Sequence, residues 1–304
     1  MFIRKKIRGN SVYYELVENT RIQGRVTQRV LKYFPNLKDA REYAVKHEFK
    51  LPFSSENWLN NELQESIELK LERLESKRPL SQTVLKNLGD KFEVDMTYHS
   101  NAIEGNRMTL RETWLVLRKG ITISGKSMKE HLEVTNHAEA IGLLNSLVES
   151  KRRITESDVL SLHAIILDKI DPTKAGFYRR EQVYISGSNV KLARWRDIPK
   201  LMQAVYSELN DDGTGAKAIY SAVQVHYDTV KIHPFVDGNG RLARLLMNLR
   251  LMRAGYPPTV LRKEERRGYY SALERADSDE MEPLTTLIGN DISRALDLYL
   301  EAAE

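Results

Sequence analysis

Cysteine is missing from all 304 residues, which excludes a disulfide framework, a thiolate nucleophile and a zinc–thiolate site. A reducing cytoplasm is the compartment this fits. There is also no run of eighteen apolar residues, and the charged start MFIRKKIRGN has no apolar core behind it. The sequence therefore predicts neither a membrane span nor a signal peptide. Six of the seven histidines, His47, His99, His131, His137, His163 and His226, show no ligand spacing such as HExxH and read as structural. Internal repeats and low-complexity runs are missing too.

What is present is unevenly spread. Residues 1–50 hold twelve Lys and Arg against five Asp and Glu, more than the whole chain's net charge of +5, so the basicity is local. That stretch reads as strands: FIRKKIR, a Gly9-Asn10 turn, SVYYELVENTR, a turn around Gly24, then VTQRVLKYF, with a short helix from about Asp39. Tyr13, Tyr14 and Tyr33 interleaved with Arg and Lys would suit nucleic acid; a solvated or partner-facing surface is the plainer alternative.

From Glu56 the pattern becomes helical, and Pro79 ends the first helix. Further helices are predicted at about 81–103, 109–119, 127–148, 156–169, 196–209, 216–231, 240–254, 264–275 and 280–302. One later segment reads as strand: in GFYRREQVYISGSNVKLA, residues 176–193, Val183 and Ile185 alternate with polar neighbours before a Gly-Ser turn, which predicts a small hairpin.

The densest chemistry lies in IHPFVDGNGRLARLL, residues 232–246. Leu242, Leu245, Leu246, Leu249 and Met252 recur at helical steps, so a helix runs from about Arg241 to Ala254 with Gly255 as its cap. Gly238, Asn239 and Gly240 then sit at its N-terminus, where unpaired backbone N–H groups and the positive end of the helix dipole favour an anion such as phosphate. Arg241 and Arg244 share a face and supply two fork-shaped donors. Asp237 is placed to hold a divalent cation bridging phosphate oxygens, and His233 is the neutral-pH base nearby. Nest, cation ligand, arginine clamp and base together describe nucleotide phosphoryl chemistry.

His233, Phe235, Asp237, Gly238, Asn239, Gly240, Arg241 and Arg244 fill every defined position of H-x-F-x-[DE]-G-N-G-R-x-x-R, the signature of the Fic-domain family, which the chain resembles through most of residues 80–302. The stretches RLLMN, LMRAGYPP and DLYL resemble its metazoan branch. The resemblance implies a mainly α, Fic-fold helical bundle with a small β-hairpin flap, here with a small β-rich N-terminal unit added. The division it suggests is a basic unit at 1–55, a helical linker with an inhibitory helix at 56–108, and the core at 109–304. The implied activity is transfer of AMP from ATP, the co-substrate, to a Ser, Thr or Tyr hydroxyl of a target protein. His233 would be the catalytic base, and Asp237 would hold Mg²⁺, with Mn²⁺ an alternative. Gly238, Asn239, Gly240, Arg241 and Arg244 would bind the phosphates. Gly240 is lysine in the Doc kinase branch, so its presence favours AMP transfer over phosphorylation.

Other roles rest on the resemblance alone. The flap would align the target by main-chain bonds, with Ile185, Ser186, Gly187 and Ser188 near the nucleotide. Tyr269, Tyr270 and Asp277 would approach the base and ribose. SNAIEGN fits the family's inhibitory motif, whose elements here are Ser100, Glu104 and Gly105: Glu104 would pair with Arg244 and hold ATP in an unproductive pose. In some relatives such a glutamate also activates water and removes AMP. A capped helix end is the alternative for SNAIEGN. A catalytically silent core acting through the basic unit, use of another nucleotide, and a homodimer all remain open.

Overall fold

The structure, a computed structural model, describes residues 2–8, 11–22, 25–35, 39–40, 43, 47, 59–184, 190 and 192–304. The chain divides into two compact units, one of residues 1–57 with 277–280, the other of 58–276 with 281–304.

The first unit holds an antiparallel three-stranded sheet in the order β1 (Phe2–Arg8), β2 (Ser11–Ile22), β3 (Arg25–Phe34). Leu16 faces Lys32 and Val17 faces Val30, so Leu31 is an extra residue and the register shifts there, as at a β-bulge. Tyr14 packs with Leu16, Phe34, Ala40 and Tyr43 in a small core, whereas Tyr33 is exposed beside Tyr13. The three tyrosines thus do not share one face, because side chains alternate along a strand. Of the helix expected from Asp39, residues 39, 40 and 43 are helical and the others lie outside the described residues.

The second unit is helical, and local signals in the sequence explain its boundaries. Asn60 caps α1 (Asn61–Ser76) and Ser81 caps α2 (Gln82–Ile103), each through its side chain. Thr109 with Glu112, and Ser127 with Glu130, form capping boxes that start α3 (Leu110–Lys119) and α4 (Met128–Ser150). Next come α5 (Glu156–Ile166), α6 (Ile198–Leu209), α7 (Ala216–Ile232), α8 (Asn239–Arg253), α9 (Arg266–Ala276) and α10 (Glu282–Ala302).

Helix α8 is the axis of the unit. Its leucines 242, 245, 246 and 249, all fully buried, meet Leu162 and Ile166 of α5, Met202 and Val205 of α6 and Val225 of α7 in one core. A helix buried on every side must also bury its polar residues, and these are paired. Asn248 exchanges hydrogen bonds with the backbone of Thr259, and Arg250 donates to Ser221 and to the Gly213 carbonyl. Truncating one of those leucines to Ala would cost about 2–5 kcal/mol.

The predicted hairpin at 176–193 is corrected in part. Residues 176–184, 190 and 192–194 form no strand, and Ile185, Ser186, Gly187 and Ser188 lie outside the described residues. Within the described part, the Arg179 guanidinium takes the carbonyls of Glu181 and Ala193. Among the described residues no helix is long and apolar enough to cross a membrane.

Candidate active site

The loop 233–238 joins α7 to α8 and is folded by its own residues. The Asn239 side chain accepts from Phe235 N–H and donates to Phe235 C=O, both at 2.9 Å. That amide is only 3% exposed and is spent on closing the loop, so Asn239 can offer a phosphate its main-chain N–H and not its side chain. The first intrahelical bond of α8 runs from Leu242 N–H to Gly238 C=O. The N–H groups of Asn239, Gly240 and Arg241 therefore precede the ladder, at the positive end of the dipole.

Gly238 has φ 78°, which favours glycine, and a Cβ there would also press on Ile166 and His163. His233 has φ 51° and ψ 61°, left-handed for a residue that is not glycine, a conformation that costs about 1–3 kcal/mol and persists only where the surroundings impose it. Its Nδ1 lies 3.3 Å from the Val230 carbonyl, which makes Nδ1–H the donor and leaves the Nε2 lone pair free. Burial pushes the imidazole below its ordinary pKa; the Val230 carbonyl opposes this, the Arg179 cation adds to it, and Glu104 and Asp237 oppose it. The ring is neutral at pH 7, as a base requires.

Asp237 is half-exposed, and its carboxyl is held below the ordinary value: burial works against this, while the Arg241 guanidinium and the Gly238 N–H outweigh it. Its bonds fall on Oδ1, to Gly238 N–H at 2.6 Å and Arg241 Nη2 at 3.2 Å. An ionised hard oxygen donor of this kind fits Mg²⁺, which keeps most of its ligands for water and phosphate. Among the described residues no three His, Asp or Glu side chains converge as a metal cluster. Arg241, 2% exposed, also meets Glu133 of α4 at 3.4 Å, and its Nε and Nη1 carry no hydrogen bond.

The end of α2 closes over this loop. Arg244 donates to Ser100 Oγ at 2.9 Å, to Ser100 C=O at 3.0 Å and to Glu104 Oε1 at 2.8 Å, while its Nη1 has no partner. A Cβ on Gly240 would overlap the Glu104 carboxylate. The space beside Gly240 thus already holds an anionic group. Gly105, at φ 103°, turns the chain away after Glu104.

Residues 153–251 match the Fic/DOC family. The crystal structure of a Fic-domain-containing signalling protein from Bacteroides thetaiotaomicron superposes with a TM-score of 0.72 at 30% identity, covering 78% of this chain and 97% of that one. This chain belongs to the Fic/DOC family. Fic-1 (residues 134–508) of Caenorhabditis elegans superposes with a TM-score of 0.71 at 30% identity, covering 86% of this chain and 75% of that one. The protein adenylyltransferase Fic of Drosophila persimilis is 38% identical over 242 residues, 77% of this chain and 47% of the fly protein. The chain thus spans about half the length of the curated relatives it matches.

The remaining Fic positions do not all converge on the loop. Tyr269 is buried, 2% exposed, with its hydroxyl on His226 and Arg244 and Glu104 nearby. Tyr270 is 38% exposed and bonds the Ile103 carbonyl at 3.4 Å, beside Glu104. Asp277 lies in the turn after α9. A cleft of about 420 Å³ opens beside the Fic motif, between Val236 and residues 173–181, with exposed Phe177 on its wall.

Two residues that sequence reasoning left aside hold the Fic loop. His163 accepts from Gly176 N–H at Nδ1, so its Nε2–H donates to the Asp237 carbonyl at 2.9 Å, and its ring stacks on Phe235 at 3.5 Å. Burial pushes it down to about 4. Arg179, 2% exposed, donates to the His233 carbonyl at 2.8 Å. Neither matches a ligand or motif spacing, and their partners lie 74 and 54 positions away.

Proposed function

We propose that this chain transfers AMP from ATP to a hydroxyl group of a target protein and is held in check by its own Glu104. Nε2 of neutral His233 takes the proton of the target hydroxyl as the oxygen bonds to the α-phosphorus; the bond to the β-phosphate oxygen breaks and pyrophosphate leaves. Backbone N–H groups of Asn239, Gly240 and Arg241, with the two arginines, face the developing negative charge. Asp237 would hold Mg²⁺, or Mn²⁺ in its place, which when bound supplies positive charge against the leaving diphosphate. The target would lie along residues 176–193 and the cleft at Val236.

The observation that carries the reading is the Glu104–Arg244 pair seated over Gly240: an anion occupies the space at a helix N-terminus that a phosphate would need. The same carboxylate, one-third exposed at its side chain, stands where it could activate water once a modified target is bound, and this supports removal of AMP as a second activity. The names of the Drosophila relatives support transfer. The test is the Glu104→Gly chain incubated with α-labelled ATP, Mg²⁺ and cell lysate, followed by mapping of the labelled protein. Labelled UTP, GTP or CDP-choline in parallel tests the nucleotide. No label from any donor would leave a silent, binding role.

A further inference from the structure

Arg179 is a buried cation with no carboxylate partner among the described residues. Its guanidinium instead donates to backbone carbonyls from three stretches of chain: His233 at 2.8 Å, with Ile232 at 3.4 Å, Glu181 at 2.8 Å and Ala193 at 2.6 Å. Its own N–H donates to Pro234 C=O at 3.0 Å. Five planar N–H donors can serve diverging acceptors at once, which an ammonium on a flexible stem cannot do with the same geometry. The residue so gripped is His233, whose backbone is left-handed, and Glu181 and Ala193 flank the segment that follows the cleft.

We propose that Arg179 is the positioning residue for the base: one guanidinium locks the His233 backbone in its left-handed conformation and ties Glu181 and Ala193 to the same loop, so that the imidazole and the wall of the cleft are set against each other by a single side chain. This rests on the transfer reading above. The charged groups facing the His233 imidazole are Arg179, Glu104 and Asp237, and Arg179 is the cation among them. It therefore also disfavours the imidazolium.

The test compares Arg179→Lys and Arg179→Gln in the Glu104→Gly chain, reading kcat, ATP binding by calorimetry and the His233 ring titration by NMR. Misplacing a reacting group by about 1 Å costs on the order of a hundredfold, so kcat should fall by about that factor in both variants with ATP affinity unchanged. The His233 midpoint should rise in Arg179→Gln, where the cation is lost, and stay in Arg179→Lys, where it is kept. A kcat in Arg179→Lys within about threefold of the parent, or an unmoved midpoint in Arg179→Gln, overturns the proposal. If the parent itself transfers nothing, the functional reading fails while the titration still decides the role of Arg179. Should Arg179→Gln not fold, the parent's Arg179 Nε–H decides instead: protection from exchange with coupling to the His233 carbonyl is expected, and a freely exchanging signal overturns it.

Discussion

Glu104 and Gly240 are sterically matched: the carboxylate of one lies where any side chain on the other would begin, while its Oε1 holds Arg244 at 2.8 Å. Gly240→Ala should push the Glu104 carboxylate off Arg244 at a stability cost below about 1 kcal/mol, because the clashing atoms are the tip of a flexible, one-third-exposed side chain. In the Glu104→Gly background the same change should cost much less, because the clash has gone. Urea unfolding of the four chains measures the coupling, and equal costs in both backgrounds would refute the match.

Glu104→Gly should raise AMP transfer by about a hundredfold, which needs roughly 2.7 kcal/mol of relieved inhibition. Arg244 is buried but Glu104 is one-third exposed, so the pair lies between an exposed pair, about 1 kcal/mol at most, and a fully buried one, about 3–5 kcal/mol when broken, and the demand falls within that range. Arg244→Ala should not activate, and the double variant should stay as inactive as Arg244→Ala, since both effects act through one arginine. Initial rates for the four chains settle it, and a wild type as fast as Glu104→Gly would reduce SNAIEGN to a capped helix end.

His233→Ala and His233→Gly should both lose transfer and keep ATP binding, since the imidazole acts on the hydroxyl proton. Their stabilities should differ: at φ 51° alanine keeps the left-handed strain and glycine does not, so the Gly variant should be the more stable by several tenths to about 1 kcal/mol. A thermal melt in which the Ala variant is the more stable would contradict that strain.

The pH dependence of stability follows in part from His163, alongside His137 and His226, which burial pushes down to about 3. Its pKa falls from 6.5 to about 4 on folding, chiefly through burial, so between those values the unfolded chain binds a proton that the native chain does not. Its contribution is intact above pH 6.5 and is lost as pH falls towards 4, at up to about 1.4 kcal/mol per pH unit. His163→Gln should lower the slope in that window by up to about 1.4 kcal/mol per pH unit, leaving the share of His137 and His226. An unchanged slope would mean that the ring is protonated in the native state.

Periodicity and capping residues were sufficient for the helices of the second unit, because those signals act within one or two turns; α2 begins after Ser81 and α8 follows the 3.6-residue recurrence of its leucines. The family signature was likewise contiguous, which is why His233 to Arg244 could be read as one group and the chain placed in the Fic/DOC family. Tertiary structure decided the rest. Tyr269 and Tyr270 are neighbours with the same side chain, yet α9 turns one into the core and leaves the other beside Glu104. Asn239 reads as a phosphate ligand in the motif, and only the folded loop shows its amide spent on Phe235. Arg179 and His163 carry no local signal, since their bonds to the Fic loop reach a segment more than fifty residues away. Local residue pattern sets where helices start and stop; which buried donor meets which carbonyl is fixed only when the core brings distant segments together.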